Sequence, residues 1–192
     1  GYYNYNGSNP EKRSLIWAGS LIYHELLPGH HFHLATQNEN KILQDYRRKY
    51  TSGAFTEGYA EYAASLGIEM GMYEDPYELY GRYLAEIFLA SRLAVDTGLN
   101  ALGWSLQEAR DYMAKYVVQS KEEIASETLR YSTSIPAQAL NYRLGYEKHW
   151  ELRRRAEAAL GEQFDIREYH DIVLSDGSKP LVVLELKVDR WI

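Results

Sequence analysis

Cysteine is absent from all 192 residues. Disulfide scaffolds, thiolate metal sites and cysteine nucleophiles are therefore excluded, and any metal must sit on His, Asp or Glu. No apolar run approaches the roughly 20 residues that a membrane-spanning helix requires. The opening "GYYNYNGSNP" has no charged segment leading into an apolar core, so it does not read as a signal peptide. Basic residues are in deficit, 21 Lys and Arg against 27 Asp and Glu for a net charge of -6, and the two signs are interleaved. Without a basic stripe to follow a phosphate backbone, nucleic acid is a poor candidate partner. No repeat, low-complexity tract or interdomain linker interrupts the chain. With 45% apolar and 25% charged residues, it suits one globular domain or the core part of a larger protein.

Helical periodicity runs almost throughout, so the expected fold class is mainly α. Residues 11–37 read as helix up to a Pro-Gly pair and as helix again beyond it. Residues 54–72 carry Phe55, Tyr59, Tyr62, Leu66 and Met70 at helical spacing. Pro76 opens a long helix that ends in glycines near 103. "SLQE" at 105–108 and "SKEE" at 120–123 fit the S-x-x-E capping box and predict two shorter helices. Pro136 is expected to start another, stopping at Gly161, and "DIRE" at 165–168 a further short one. "LVVLELKV" after Pro180 has strand-favouring valines but reads as helix by pattern. The helices of 77–102 and 105–117 read as core.

Residues 24–31, "HELLPGHH", hold the densest chemistry. In the usual zinc helix, H-E-x-x-H, two histidines four apart share one face and the glutamate acts as general base. Here Pro28 occupies the fourth position after His24. On an ideal helix, residues 24 and 30 differ by about 240 degrees around the axis and about 9 Å along it, too far to share an ion. Proline removes an N–H and clashes with the carbonyl four residues back, so the helix must break, and Gly29 supplies the freedom. If the Pro-Gly pair bulges and the helix resumes at His30, two residues are absorbed and His30 takes the second ligand position. His31 is the competing ligand.

"FTEGYAEY" offers a third ligand, Glu57, 27 positions after His30 and in the first turn of the next strong helix. Glu61, one turn later on the same face, is the substitute. A His2Glu site with one open position lowers the pKa of bound water to about 7. Glu25 would take the proton and hand it on.

Over essentially all 192 residues the chain also resembles the bacterial domain of unknown function 885 family, which is grouped with the gluzincin metallopeptidases. "YHELLPGHHFH", "AFTEGYAEYAASLGIEMG", "RLAVDTGLNALGWSLQEARDYM" and "LRYSTSIPAQALNYRLGYEKHWELRRRAEAALGEQFDIREYHDIVLSDGSKPLVVLE" carry the resemblance. It implies a largely helical fold with a cleft between an N-terminal helical part and a zinc-bearing C-terminal part. It implies Zn2+ held by His24, His30 and Glu57, with Glu25 as base. The present chain resembles only the C-terminal part, so residues 1–192 are expected to be a single helical zinc-binding domain from a longer protein, whose missing N-terminal part is a partner in the cleft. The expected compartment is the bacterial cytoplasm or the cell envelope. Four positions depart from the family pattern: His33 stands for glutamine, Tyr59 for tryptophan, Asn100 for histidine and Ala137 for glycine. The Asn100 change puts any role of that position in doubt.

Peptide hydrolysis needs a donor for the developing oxyanion, and gluzincins commonly use Tyr or His. Tyr142 and His170 are the candidates, each with packing or helix-end service as the plainer role. Arg130 and Arg143 are candidates for holding a substrate carboxylate, since guanidinium binds carboxylate bidentately, with surface pairing as the alternative. Asp96 is a candidate for orienting a ligand imidazole. The expected activity is zinc-dependent cleavage of peptides or small peptide-like amides. The alternative is a catalytically inactive metal- or peptide-binding helical domain.

Overall fold

Four helix starts follow the capping chemistry. In the computed structural model, which describes residues 14–192, Ser105 and Ser120 each form a reciprocal capping box with the glutamate three residues on. Asp75 accepts from the Tyr77 N–H ahead of Pro76, and Asp165 accepts from that of Arg167. The helices are α1 (Ala18–Glu25), α2 (His30–Glu39), α3 (Asp45–Lys49), α4 (Gly53–Glu69), α5 (Pro76–Ala101), α6 (Leu106–Tyr116), α7 (Lys121–Thr133), α8 (Leu140–Leu160), α9 (Ile166–Leu174) and α10 (Leu181–Trp191). A 3₁₀ turn at Gly161–Gln163 separates α8 from α9. No strand occurs among the described residues, and the ambiguous "LVVLELKV" lies within α10.

Two apolar clusters hold these helices. Phe55, Tyr59 and Tyr62 of α4 pack with Leu152 and Ala156 of α8, Tyr169 and Val173 of α9, and Leu184 and Val188 of α10. Val95 of α5 joins Ala109, Met113, Ile124, Tyr131 and Ala139 in the second. Each large side chain so buried contributes roughly 1.5–3 kcal/mol. α4 and α8 touch backbone to backbone: a Cβ on Gly58 would meet the Gly145 backbone at 2.3 Å, and one on Gly145 would meet the Ala54 carbonyl at 1.9 Å. This close crossing brings Tyr142, one turn before Gly145, to the end of α4 that carries Glu57.

Two expectations need correction, and one helix was not foreseen. The first helix begins at Ala18, with residues 14–17 outside it, and residues 11–13 lie outside the described part. α8 begins at Leu140 rather than Pro136 because Ala137 has φ 69, and its N–H is taken by Asp96 Oδ1 at 2.9 Å. A left-handed residue cannot propagate a right-handed helix. The short α3 was not foreseen, since it has no buried residue and so no apolar stripe to reveal it.

Candidate metal centre

The hydrogen bonds across residues 26–29 show how the break works. An unbroken α-helix would join the Tyr23 carbonyl to the N–H four residues on. It accepts instead from Gly29 N at 3.0 Å, six residues on, and the Leu26 carbonyl accepts from Phe32 N at 3.3 Å, again six on. Two residues are looped out and the register is then restored. Only glycine fits at 29, because a Cβ there would lie 1.9 Å from the His24 carbonyl oxygen. His30 is thereby returned to the face of His24, their ring centroids 4.6 Å apart and nearly perpendicular.

α4 supplies the carboxylates. Glu57 Oε2 lies 3.2 Å from His30 Nε2 and 3.6 Å from His24 Nε2. One donor atom each from His24, His30 and Glu57 falls within 4.8 Å of the others, the one such group among the described residues. His31 is exposed and stands outside it. Ligands bound at 2.0–2.1 Å in a tetrahedron are about 3.3 Å apart along each edge. The two Glu57 distances bracket that spacing, so His24, His30 and Glu57 could hold a metal ion such as zinc.

Glu61 has a different task from Glu57. Its Oε1 is 2.7 Å from Nδ1 of His24, a close ionic contact not aligned with the ring N–H, and its Oε2 is 2.6 Å from Arg82 NH1. Arg82 is fully buried and also reaches Glu86 at 3.1 Å. The chain Arg82, Glu61, His24 fixes the ring so that Nε2 faces Glu57, the arrangement that orients metal-binding imidazoles. Asp96, expected in that role, instead binds Ala137 N and Asn100 Nδ2 through Oδ1.

These charges shift one another. Burial by itself pulls the His24 imidazole down, but Glu57 and Glu61 outweigh it and hold its pKa at about 9. Burial pushes the Glu57 carboxyl up, and its contacts to the two histidines more than reverse this, leaving it well below the usual range. Glu61 is likewise held low against burial by His24 and Arg82. The polar cluster is thus a set of compensated charges, costly to leave half-built.

Two hollows flank the centre and Glu25 lines both. One, of about 180 Å³, is bordered by Trp17, Leu21, His24, Phe88, Arg92 and Tyr142. The other lies over His30, His31, Asn38, Glu39 and Glu57. Tyr142 stacks near His24, centroids 6.2 Å apart and 21° from parallel. Its hydroxyl accepts from Gln138 Nε2 at 3.1 Å. Burial, followed by the Glu57 charge, raises its pKa, which keeps the phenol protonated.

The other sequence candidates lie elsewhere. His170 Nε2 is 2.9 Å from the Tyr62 hydroxyl and packs on Tyr169, in the α4–α9 core and lining neither hollow. Arg130 is exposed and pairs with Glu127 at 3.2 Å. Arg143 pairs with Glu147 and sits 4.0 Å from Glu86. Two of the family departures meet: His33 and Tyr59 rings are 5.5 Å apart, and both His33 nitrogens are buried without a partner. Sequence reasoning missed Arg82 and Arg92. The signal was present, since residues 82, 85, 89, 92 and 96 form one helical face of α5 on which Arg, Arg and Asp interrupt Ala and Leu.

No curated protein matches the chain. Among solved structures, it is similar to the "putative lipoprotein" of Colwellia psychrerythraea at 40% identity and TM-score 0.88, covering 92% of this chain and 30% of that one. It is also similar to a "putative lipoprotein of unknown function" of Shewanella oneidensis at 25% identity and TM-score 0.79, covering 88% of this chain and 31% of that one. The chain therefore spans less than a third of the length of either protein. The model of the family described as bacterial protein of unknown function (DUF885) matches residues 1–188, and the chain belongs to that family.

Proposed function

We propose that this domain is the zinc-binding part of a gluzincin-like metallopeptidase that hydrolyses peptides or small peptide-like amides. The observation that carries the reading is the convergence of His24, His30 and Glu57 across a two-residue loop-out, with Glu25 between two open hollows. His24, His30 and Glu57 are the residues that would hold the ion. A bound zinc supplies Lewis acidity, lowering the pKa of a coordinated water to about 7 and polarising a carbonyl.

The chain's own groups do the remaining work. Glu25, half-buried and reachable from both hollows, takes a proton from the attacking water and returns it to the leaving amine. Tyr142, kept as a phenol, is the donor to the developing oxyanion. Glu61 and Arg82 hold the His24 ring. A structural metal site has no use for a carboxylate in the position of Glu25, which favours an enzyme over a binding module.

We place the whole protein in the cell envelope, by analogy with the two lipoproteins it is similar to. No helix among the described residues is long and apolar enough to cross a membrane.

The test is hydrolysis by full-length, zinc-loaded protein of short peptides with free and blocked termini, read by mass spectrometry. Cleavage lost on chelation and restored by zinc is the expected result. A zinc-loaded protein that cleaves none of them sinks the peptidase and promotes a metal-dependent binding domain.

A further inference from the structure

Among the described residues, Arg92 is a buried cation without an ion pair. It is 5% exposed, yet among the described residues no carboxylate is in ion-pair contact with it. Arg82, two turns or more earlier on the same face of α5, has both Glu61 and Glu86. Arg92 has one hydrogen bond, from NH2 to Gln138 Oε1 at 3.1 Å, and its buried Nε has none. Asp96, one turn on, has Oδ1 committed to Ala137 N and Asn100 Nδ2, and its Oδ2, buried without a partner, makes no ion pair with Arg92. Aromatic rings surround the guanidinium instead: Tyr142 at 4.5 Å, Tyr131 at 5.4 Å and Phe88 at 5.6 Å.

Such a cation is held in place by rings while hydrogen-bonding capacity is left over. A guanidinium presents five donors in a planar fork suited to a carboxylate. This fork borders the hollow that His24 and Glu25 also line, and the rest of the lining is mostly apolar or aromatic, Trp17, Leu21, Phe88, Leu89 and Tyr142 among it, with Ser20 and Glu61 as polar members. At about 180 Å³ and open to solvent, the hollow has room for part of a ligand, such as one terminal residue, rather than enclosing a whole one. One hollow thus joins the candidate reacting centre, apolar side chains and a cation without an ion pair.

We propose that Arg92 is the carboxylate anchor of a specificity pocket, and that the substrates are peptides or peptide-like amides whose leaving residue carries a free α-carboxylate and an apolar side chain. The carboxylate docks on Arg92, the side chain on Trp17 and Phe88, and the amide is thereby presented to Glu25. Gln138 couples the anchor to Tyr142, donating to the phenol and accepting from the guanidinium. This assignment of substrate class rests on the hydrolase reading, but the anchor itself is measurable without turnover.

The binding arm uses metal-free full-length protein, so that no metal competes for the carboxylate. Calorimetry compares 3-phenylpropanoate with 3-phenylpropanamide. The acid should bind at least tenfold more tightly, the margin of a charge-assisted hydrogen bond over a neutral one. In Arg92→Gln that ratio should fall to near one, while Arg92→Lys keeps part of it. Equal binding of acid and amide to the wild type overturns the anchor. So does a ratio unchanged in a folded Arg92→Gln, which would point to another cation. Should Arg92→Gln fail to melt cooperatively, Arg92→Lys and the wild-type ratio decide the matter by the same criteria.

The kinetic arm uses zinc-loaded protein and one peptide as free acid, as C-terminal amide, and as an amide with glutamate in last place. Preference for the free acid alone supports the α-carboxylate, whereas preference for the glutamate peptide moves the anchor to an acidic side chain and overturns the stated substrate class. Carboxylate binding without hydrolysis of any peptide rejects the peptidase and keeps the anchor. Hydrolysis of acid and amide at equal kcat/KM rejects the anchor and keeps the peptidase.

Discussion

Glu61 stands 2.7 Å from Nδ1 of His24, one turn along α4 from Glu57, which faces Nε2 of the same ring. One helix face thus supplies both the proposed ligand carboxylate and the carboxylate that aims the imidazole, because residues four apart on a helix are neighbours. Arg82 closes the arrangement from α5 by neutralising the oxygen that Glu61 does not offer to His24.

Removal of any ligand should abolish stoichiometric zinc. Purified without added metal, the wild type is expected to carry one zinc per chain, and His24→Ala, His30→Ala and Glu57→Ala close to none, by elemental analysis. His31→Ala should keep its zinc, since that side chain is exposed and outside the cluster. Glu61→Gln should retain the site but weaken it about 10- to 100-fold, the usual cost of losing an orienting partner. An unaffected affinity in that variant would remove Glu61 from the centre.

Glu25→Gln preserves size and much of the hydrogen bonding but cannot accept a proton. Zinc content should match the wild type while kcat falls about 10²- to 10⁴-fold. Equal turnover would keep a hydrolase and reject Glu25 as its base.

Gly29→Ala tests the loop-out. The added Cβ would lie 1.9 Å from the His24 carbonyl, so the break must open. Stability should drop by roughly 1–3 kcal/mol, and zinc affinity should drop with it because His30 loses its register. Full affinity in a destabilised variant would show that the two effects are separable.

Ala137→Gly should stabilise. Ala137 is exposed and sits at φ 69, a conformation that costs a non-glycine residue about 1–2 kcal/mol. Glycine's looser unfolded chain takes back about 0.4–1 kcal/mol. The net gain, roughly 0.5–1 kcal/mol by these principles, is within reach of urea denaturation. A loss would mean that the left-handed turn is not retained in solution.

Acid should destabilise the metal-free protein well above the carboxylate range. Burial pushes His33 down to about 4 and His149 down to about 3, and both are fully buried. Below pH 6.5 the unfolded chain takes up protons that these folded sites refuse, so their contribution is complete above 6.5 and is lost as pH falls towards 4. Two such groups give a slope of about 2.7 kcal/mol per pH unit in the middle of that window. His24 acts in the opposite sense: its pKa is raised to about 9, so its contribution is full below 6.5 and fades as pH rises through 9. Urea midpoints measured from pH 4 to 9 should peak between these limits, and a flat profile from 6 to 4 would refute the neutral buried histidines.

What the sequence alone determined is what local chemistry dictates. The capping boxes at Ser105 and Ser120, the start of α5 at Pro76 and the break at Pro28–Gly29 each depend on a few adjacent residues, and all lie where the pattern put them. The approach of His30 to His24 was legible for the same reason, since the length of the loop-out sets the register of the second histidine. Tertiary structure alone decided which of Glu57 and Glu61 faces Nε2, because their identical spacing on one helix face distinguishes them only through Arg82 across the interface. It also separated His170, a sequence candidate, from the centre and brought Arg92, which the sequence reading passed over, to the hollow beside it. Packing angles between helices determine such proximities, and those depend on side-chain volumes summed over distant segments, as in the Gly58–Gly145 crossing, rather than on any one stretch of chain.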